Sequence, residues 1–353
     1  IGYLVYPAKK GTQKVNYIPW YDVILMFLGS GSFFYYTFDA MTVIKQGRNF
    51  ETYQIIIGAI GILCLFELCR RCVGLPILCV ATAFIVYALG WGLPNPDIFR
   101  RIETLVSQLF YSTTAGILST PINTCAKFIA IFIIFGAFLE RTGIADFFIK
   151  IANSVVGGFS GGPAKVAVVA SAMEGMVSGS SVANTVGSGS VTIPLMKKTG
   201  YKPEFAAAAE ASASTGGQIM PPIMGAAAFL MAENIGVPYS NIVVRAILPA
   251  ALYFLGVFIT VHLEAKKEGL RGLTKEELPK FLPLLKQSYL LLPLIILIAL
   301  VGSGSRSIAY AAAIAIISTI VVGLFNKENR ISFKRIFESL AAGGQGMITV
   351  AVA

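Results

Sequence analysis

The residues best suited to chemistry in this chain lie inside apolar flanks, where polar groups are costly. Ser178-Gly179-Ser180-Ser181-Val182-Ala183-Asn184-Thr185-Val186-Gly187-Ser188-Gly189-Ser190 follows a mostly apolar run from Val166 to Met176 and precedes Val191, Ile193 and Pro194-Leu195-Met196. It is too polar and too rich in glycine for a helix facing lipid. Irregular backbone at membrane depth is tolerated only where protein or a water-filled cavity covers it. The pattern predicts a helical hairpin with an irregular tip. Such a tip offers helix ends, carbonyls and small hydroxyls, which attract anions or cations according to the end presented. Tight helix packing through small residues also fits, since Gly175-x-x-x-Gly179 matches a packing motif.

A second interruption favours a site. Phe205 to Ser214 reads as an alanine-rich helix that breaks at Thr215-Gly216-Gly217-Gln218 and restarts after Pro221-Pro222. Glycine frees the backbone and proline cannot donate to a helix ladder. Carbonyls from Ser214 to Gly217 are therefore expected to lose partners and become available to a small cation. Secondary transporters build substrate and ion sites from discontinuous helices of this kind. Glu210 sits in the alanine-rich helix. A carboxylate at mid-membrane costs about 2.5–3.5 kcal/mol on insertion scales and usually faces an interior. A coupling-ion or proton role and a structural hydrogen bond both fit Glu210. Glu174 lies nearer a helix end.

Other chemistry is sparse. The chain has five cysteines, and Cys69-Arg70-Arg71-Cys72 has C-x-x-C spacing without a second pair or histidine partner. Membrane-embedded thiols are the expectation, not a zinc or redox centre. The single histidine, His262, ends an apolar helix and is expected at the interface. No Gly-Lys pair occurs, so no P-loop ATPase is carried here. No Ser/His/Asp or metal-ligand cluster appears, and an enzyme is not expected.

The elements that hold these residues are read as all-α and membrane-spanning. Of the 353 residues, 56% are hydrophobic and 13% charged, against about 25% charged in soluble domains. Each span needs roughly 20 apolar residues. Spans are expected at about 21–38, 54–72, 75–93, 126–139, 241–263, 281–301 and 306–325, with Pro94-Asn95-Pro96 closing the third. Residues 97–118 read as an amphipathic interfacial helix, and another helix begins near Ile144. The net charge of +10 would suggest nucleic acid in a soluble protein. Here Lys and Arg collect between apolar stretches, including Lys9, Lys10 and Lys14, the loop with Lys266, Lys267, Arg271, Lys275 and Lys280, and that with Lys327, Arg330, Lys334 and Arg335. The positive-inside rule puts these loops in the cytoplasm and the short Gly302-Ser303-Gly304-Ser305-Arg306 loop outside. Lys197, Lys198 and Lys202 form an interfacial basic patch.

Several motifs together resemble the fused membrane subunit of tripartite ATP-independent periplasmic (TRAP) transporters, of the TAXI-associated kind, with a DctM-like large portion. They are Phe135-Gly136-Ala137-Phe138-Leu139-Glu140-Arg141-Thr142-Gly143, Gly161-Gly162-Pro163-Ala164-Lys165-Val166-Ala167, Ser178 to Asn184, Ile193-Pro194-Leu195-Met196-Lys197, and Ala213-Ser214-Thr215-Gly216-Gly217-Gln218-Ile219-Met220-Pro221-Pro222-Ile223-Met224-Gly225. The resemblance implies a polytopic elevator-type transporter whose large portion has two inverted repeats. Residues 1–96 would be the small-subunit-like portion. Residues 97–325 would be the first repeat, with hairpin 163–198 and broken helix 203–236, and 326–353 would start the second. The expectation is a chain truncated at both ends.

The implied activity is sodium-coupled import of a small organic acid, with a TAXI-type periplasmic binding protein as partner, in a bacterial or archaeal cytoplasmic membrane. Sodium would be the coupling ion, with no other cofactor. By motif position Ser178, Gly179, Ser180, Ser181, Asn184, Ser214, Thr215, Gly216 and Gly217 would line a sodium site. Asn184, Gln218 and Pro221 would face substrate, and Glu210 would be the candidate coupling group. Glu174 stands where the resemblance implies a neutral residue. The competing class is a polytopic membrane enzyme or scaffold subunit, which would need a polar catalytic cluster at membrane depth.

Overall fold

A computed structural model describes residues 1–9, 17–47, 50–94, 96–274, 276–304, 306–326 and 329–353. Lys10, Lys14, Asn95, Lys275, Ser305 and Lys327, used above to locate loops, lie outside the described residues. Every regular element among the described residues is helical. Among the described residues six helices are long and apolar enough to cross a membrane: α1 (Trp20–Gln46), α2 (Thr52–Cys72), α3 (Leu75–Gly92), Thr120–Glu140, Tyr239–Lys267 and Ile308–Phe325. The chain divides into two compact units, one of residues 1–126 and 345–353, the other of residues 127–344.

In the first unit α1 runs beyond the expected 21–38. Asp39 does not stop it, because the Tyr35 hydroxyl one turn back donates to its Oδ2 at 3.0 Å. The helix ends at Gly47, whose φ of 67° suits glycine. A capping box starts α2, with the Glu51 N–H donating to Gln54 Oε1 at 2.8 Å. The amphipathic segment after α3 forms α4 (Ile98–Val106), capped by Asp97 and continued by a wide turn over Ser107–Tyr111. It is amphipathic as expected: Ile98, Phe99 and Ile102 remain exposed, and only its last residue, Val106, is buried. Phe110 and Tyr111 pack where Gly58 and Gly61 of α2 leave room. The Tyr111 hydroxyl donates to the Gln54 carbonyl at 2.6 Å.

In the second unit α5 (Thr120–Glu140), whose first residues belong to the other unit, leads through Gly143 (φ 78°) into α6 (Ile144–Val156). The hairpin follows: α7 (Gly162–Ser178), α8 (Ser181–Gly187) and α9 (Gly189–Lys198). The broken helix is α10 (Pro203–Gly216), a 3-10 turn at Gly217–Ile219, an irregular stretch to Gly225, and α11 (Ala226–Ile235). Then come α12 (Tyr239–Lys267), a helical stretch α13 (Ser288–Ser303), α14 (Ile308–Phe325) and α15 (Phe333–Val352). Alanines of α7 and α10, among them Ala164, Ala167, Ala206, Ala209 and Ala213, form the centre of a core with Phe254, Val261 and Ala265 of α12. Small side chains let these helices approach closely, which substitutes for the hydrophobic drive that lipid removes.

Two expectations are corrected. The irregular hairpin tip is only Gly179 and Ser180, not the whole of 178–190. The helix resumes at Ser181 because Ser180 caps it, its hydroxyl accepting from the Ala183 N–H at 3.3 Å. The helix break also begins later, since Thr215 and Gly216 remain helical. The carbonyls of Ser214 and Gly217 each keep a donor, from the Gly217 and Met220 N–H groups respectively.

Candidate functional site

The two interruptions meet. Gly179 turns the hairpin with φ 58°, and a Cβ there would run into the carbonyls of Ile223 and Met224 in the irregular stretch. One helical turn earlier, a Cβ on Gly175 would run into the Cα of Gly217. A Cβ on Gly217 would come within 2.9 Å of Asn184 Nδ2. Backbone cannot move aside as a side-chain tip can, so glycine is required at this contact. The Gln218 amide completes the junction by donating to Ser181 Oγ at 2.8 Å.

The anticipated residues gather here but face different ways. Ser178, Gly179, Ser180, Ser181 and Pro221 are half-buried, while Thr215 and Gln218 are exposed. Thr215 Oγ1 donates back to the Ala211 carbonyl of its own helix at 2.8 Å. Gly216 lies against Tyr253, 2.5 Å from Cε1 if it carried a Cβ. The Tyr253 hydroxyl donates to the Ser212 carbonyl at 2.7 Å. Asn184 has no exposed surface, and its Nδ2 donates to the Ser171 carbonyl at 2.8 Å. In this structure it ties the two hairpin arms together and faces protein.

Beneath the junction lies a polar cluster around Glu210, which is fully buried. The hydroxyls of Ser171 (2.9 Å) and Ser214 (3.1 Å) donate to its Oε1. Ser188 also donates to Oε1, and Thr192 to Oε2, through short bonds. Four neutral donors from α7, the second hairpin arm and α10 thus satisfy one carboxylate. Buried charge is tolerated when it is hydrogen-bonded in this way. Ser188 Oγ also lies 2.8 Å from the Asn184 carbonyl and 3.3 Å from its Oδ1. With Ser171 Oγ at 3.2 Å, its one proton therefore has four acceptors within reach.

Ser171, Ser188 and Thr192 were not anticipated as site residues. A signal existed for two of them. Asn184, Ser188 and Thr192 recur every four residues, which places them on one face of the second hairpin arm. Glu210 and Ser214 have the same spacing. Glu174, one turn after Ser171, is buried against Gly187, where a Cβ would strike its Oε1. Its Oε2 has no hydrogen-bond partner among the described residues.

The cysteines described are all free thiols. No group of His, Cys, Asp and Glu able to hold a metal occurs among the described residues. The oxygen-rich junction is instead a set of hydroxyls, carbonyls and amides, the donors suited to hard cations and to anions.

Comparison with known proteins agrees with the architecture. A family model described as the DctM component of the tripartite ATP-independent periplasmic transporter matches residues 60–353. The C4-dicarboxylate TRAP transporter large permease protein DctM of Pseudomonas aeruginosa is 29% identical over 198 residues, covering 56% of this chain and 46% of that protein. Its counterpart in Vibrio cholerae is 31% identical over 201 residues, covering 56% and 43%. The sialic acid TRAP transporter permease protein SiaT of Haemophilus influenzae is 25% identical over 266 residues, covering 72% and 41%. The chain thus spans less than half the length of these curated relatives. The match over residues 60–353, on a chain of several apolar helices, shows the family, which is one of transporter permease subunits and not of enzymes: this multi-pass membrane chain belongs to the DctM family of TRAP transporter large permease subunits.

Proposed function

We propose that this chain forms part of the permease of a sodium-coupled TRAP transporter importing a small organic anion. The observation that carries the proposal is the meeting of Gly179 with Ile223 and Met224, and of Gly175 with Gly217. Two discontinuous apolar elements touching at their breaks is how secondary transporters form midplane sites.

In this reading Ser178, Gly179, Ser180, Ser181, Asn184, Ser214, Thr215, Gly216 and Gly217 supply hydroxyl, amide and carbonyl oxygens to sodium. Exposed Gln218 and half-buried Pro221 border the substrate, and Asn184 reaches both if its arm contact opens. Glu210 holds the hairpin arms and α10 together through its hydroxyl donors, so coupling acts through their alignment. The hairpin and broken helix are then the first of two inverted repeats and move as a body in an elevator cycle. A TAXI-type periplasmic binding protein delivers the anion, and the cytoplasmic membrane of a bacterium or archaeon is the setting.

The test is uptake into proteoliposomes by the full-length protein, with and without an imposed sodium gradient and a cognate periplasmic binding protein. Uptake is expected only with both. Uptake indifferent to sodium, or equal without the binding protein, overturns the proposal.

A further inference from the structure

We propose that Lys165, His262 and Lys266 form a binding site for the phosphate of an anionic phospholipid at the basic end of α12. Lys165 lies in the first turns of α7 and is only 4% exposed. Its ammonium stands 5.8 Å from the ring centre of Phe159 and 5.5 Å from that of Phe258. No carboxylate, carbonyl or hydroxyl accepts from it among the described residues. Aromatic faces attract this cation, and although the side chain is buried its nitrogen is not fully enclosed, so an ammonium with no anion or acceptor is left open to one.

The missing charge has a place. Phe258, His262 and Lys266 recur every four residues and so line one face of α12. Lys165 sits over the first of them. His262 Nδ1 is buried with no hydrogen-bond partner. The start of α7 is pressed against the same part of α12, since a Cβ on Gly161 would strike that of Ala265. The positive end of a 17-residue helix is thereby added to the two lysines. The nearby carboxylates are engaged elsewhere, Glu264 with Lys267 at 3.4 Å and Glu268 with Lys202 at 3.4 Å.

The ligand is a lipid because of what adjoins the site. Leu248, Leu252, Leu255, Ile259 and Leu263 are 66%, 59%, 53%, 46% and 59% exposed. They form an apolar stripe that ends beside His262. An acyl chain lying on that stripe brings its headgroup to the basic end of the helix, the end that the positive-inside rule assigns to the cytoplasm. Basic pockets between helices on that side suit anionic headgroups.

The full-length protein in a non-ionic detergent, titrated with phosphatidylglycerol and followed by native mass spectrometry, tests this. Phosphatidylglycerol is expected to bind more tightly than a phosphate-free diacyl glycolipid. Lys165→Met, which keeps the apolar stem, should weaken phosphatidylglycerol binding by about ten-fold, the worth of one charge-assisted hydrogen bond. Lys165→Arg should restore it. Lys266→Gln, at an exposed position, gives a second reading that does not depend on the fold surviving loss of a buried lysine, and should also weaken binding. Equal binding of the glycolipid, or unchanged phosphatidylglycerol binding in both Lys165→Met and Lys266→Gln, overturns the site. Inorganic phosphate binding as tightly as the lipid would assign it to a soluble anion and overturn the lipid reading.

Discussion

Two regions of this molecule bury a carboxylate, and they do so in opposite ways. In the first unit Asp22, 2% exposed, lies at the start of α1 with its Oδ1 2.7 Å from Arg71 Nη1 near the end of α2. The approach is close but off the direction of a hydrogen bond, so this is a charge contact first. Arg71 Nε also donates to Glu67 at 2.7 Å, and its guanidinium stacks at 5.0 Å from the Tyr3 ring centre. In the second unit no cation pairs with Glu210 among the described residues. Four hydroxyls satisfy it instead.

The difference teaches what each region can do. An ion pair in a poorly solvated place holds two helices rigidly, because separating full charges is expensive. Hydroxyls are neutral and rotate, and Ser188 has alternative acceptors in Asn184. Donors can be exchanged around Glu210 without leaving any of them charged and alone. The first arrangement makes a fixed bracket, and the second leaves its donors free to re-sort around one carboxylate.

The comparison predicts a graded series. The largest effect is expected from Arg71→Met, which leaves Asp22 buried without its counter-charge and should cost about 3–5 kcal/mol. Thermal unfolding in detergent measures it, and the double variant with Asp22→Asn should recover much of the loss. An unaltered melting temperature would break the comparison at its rigid end. Glu210→Gln should cost less, about 1–3 kcal/mol, because the amide keeps one acceptor oxygen while turning donors toward the hydroxyls of its neighbours. A loss as large as that of Arg71→Met would mean that the cage is as rigid as the ion pair. Ser188→Ala and Thr192→Ala should each cost about 1 kcal/mol, and the pair less than their sum, since the remaining donors re-sort. Strict additivity in that cycle would refute exchange of donors.

The smallest effect belongs to a carboxylate outside the spans. Glu277 is exposed and accepts from the Thr274 N–H at 3.1 Å and hydroxyl at 3.2 Å. These bonds, led by the backbone one, hold its carboxyl below the usual range. A lowered value means that the contact stabilises above the ordinary carboxylate range and is lost as pH falls through the lowered value. Hydrogen exchange at Thr274 should therefore quicken in acid relative to the rest of its loop, and Glu277→Gln should remove that difference.

Much of the architecture was legible in the residues themselves. Apolar runs of about twenty residues announce membrane helices. The polar, glycine-rich breaks within other apolar runs mark the hairpin and the broken helix, because glycine and proline act on the backbone locally. The widths of the breaks were misjudged for a related reason. Ser181 to Gly187 looks too polar to stay helical, yet Ser180 caps it and Asn184 finds its acceptor across the hairpin in Ser171. Thr215 and Gly216 stay helical because α10 packs on α7 and α12 through that turn.

What the sequence by itself determined is the class of the molecule and the positions where helices must fail, since hydropathy and backbone freedom are properties of short stretches. What only the tertiary structure decided is which polar groups meet. Gly175 and Gly217 touch, and Ser171, Ser188, Thr192 and Ser214 surround Glu210, though they come from three helical elements. A buried polar group takes whatever partner the packing delivers, and that partner is set by helix crossings between segments far apart in the chain.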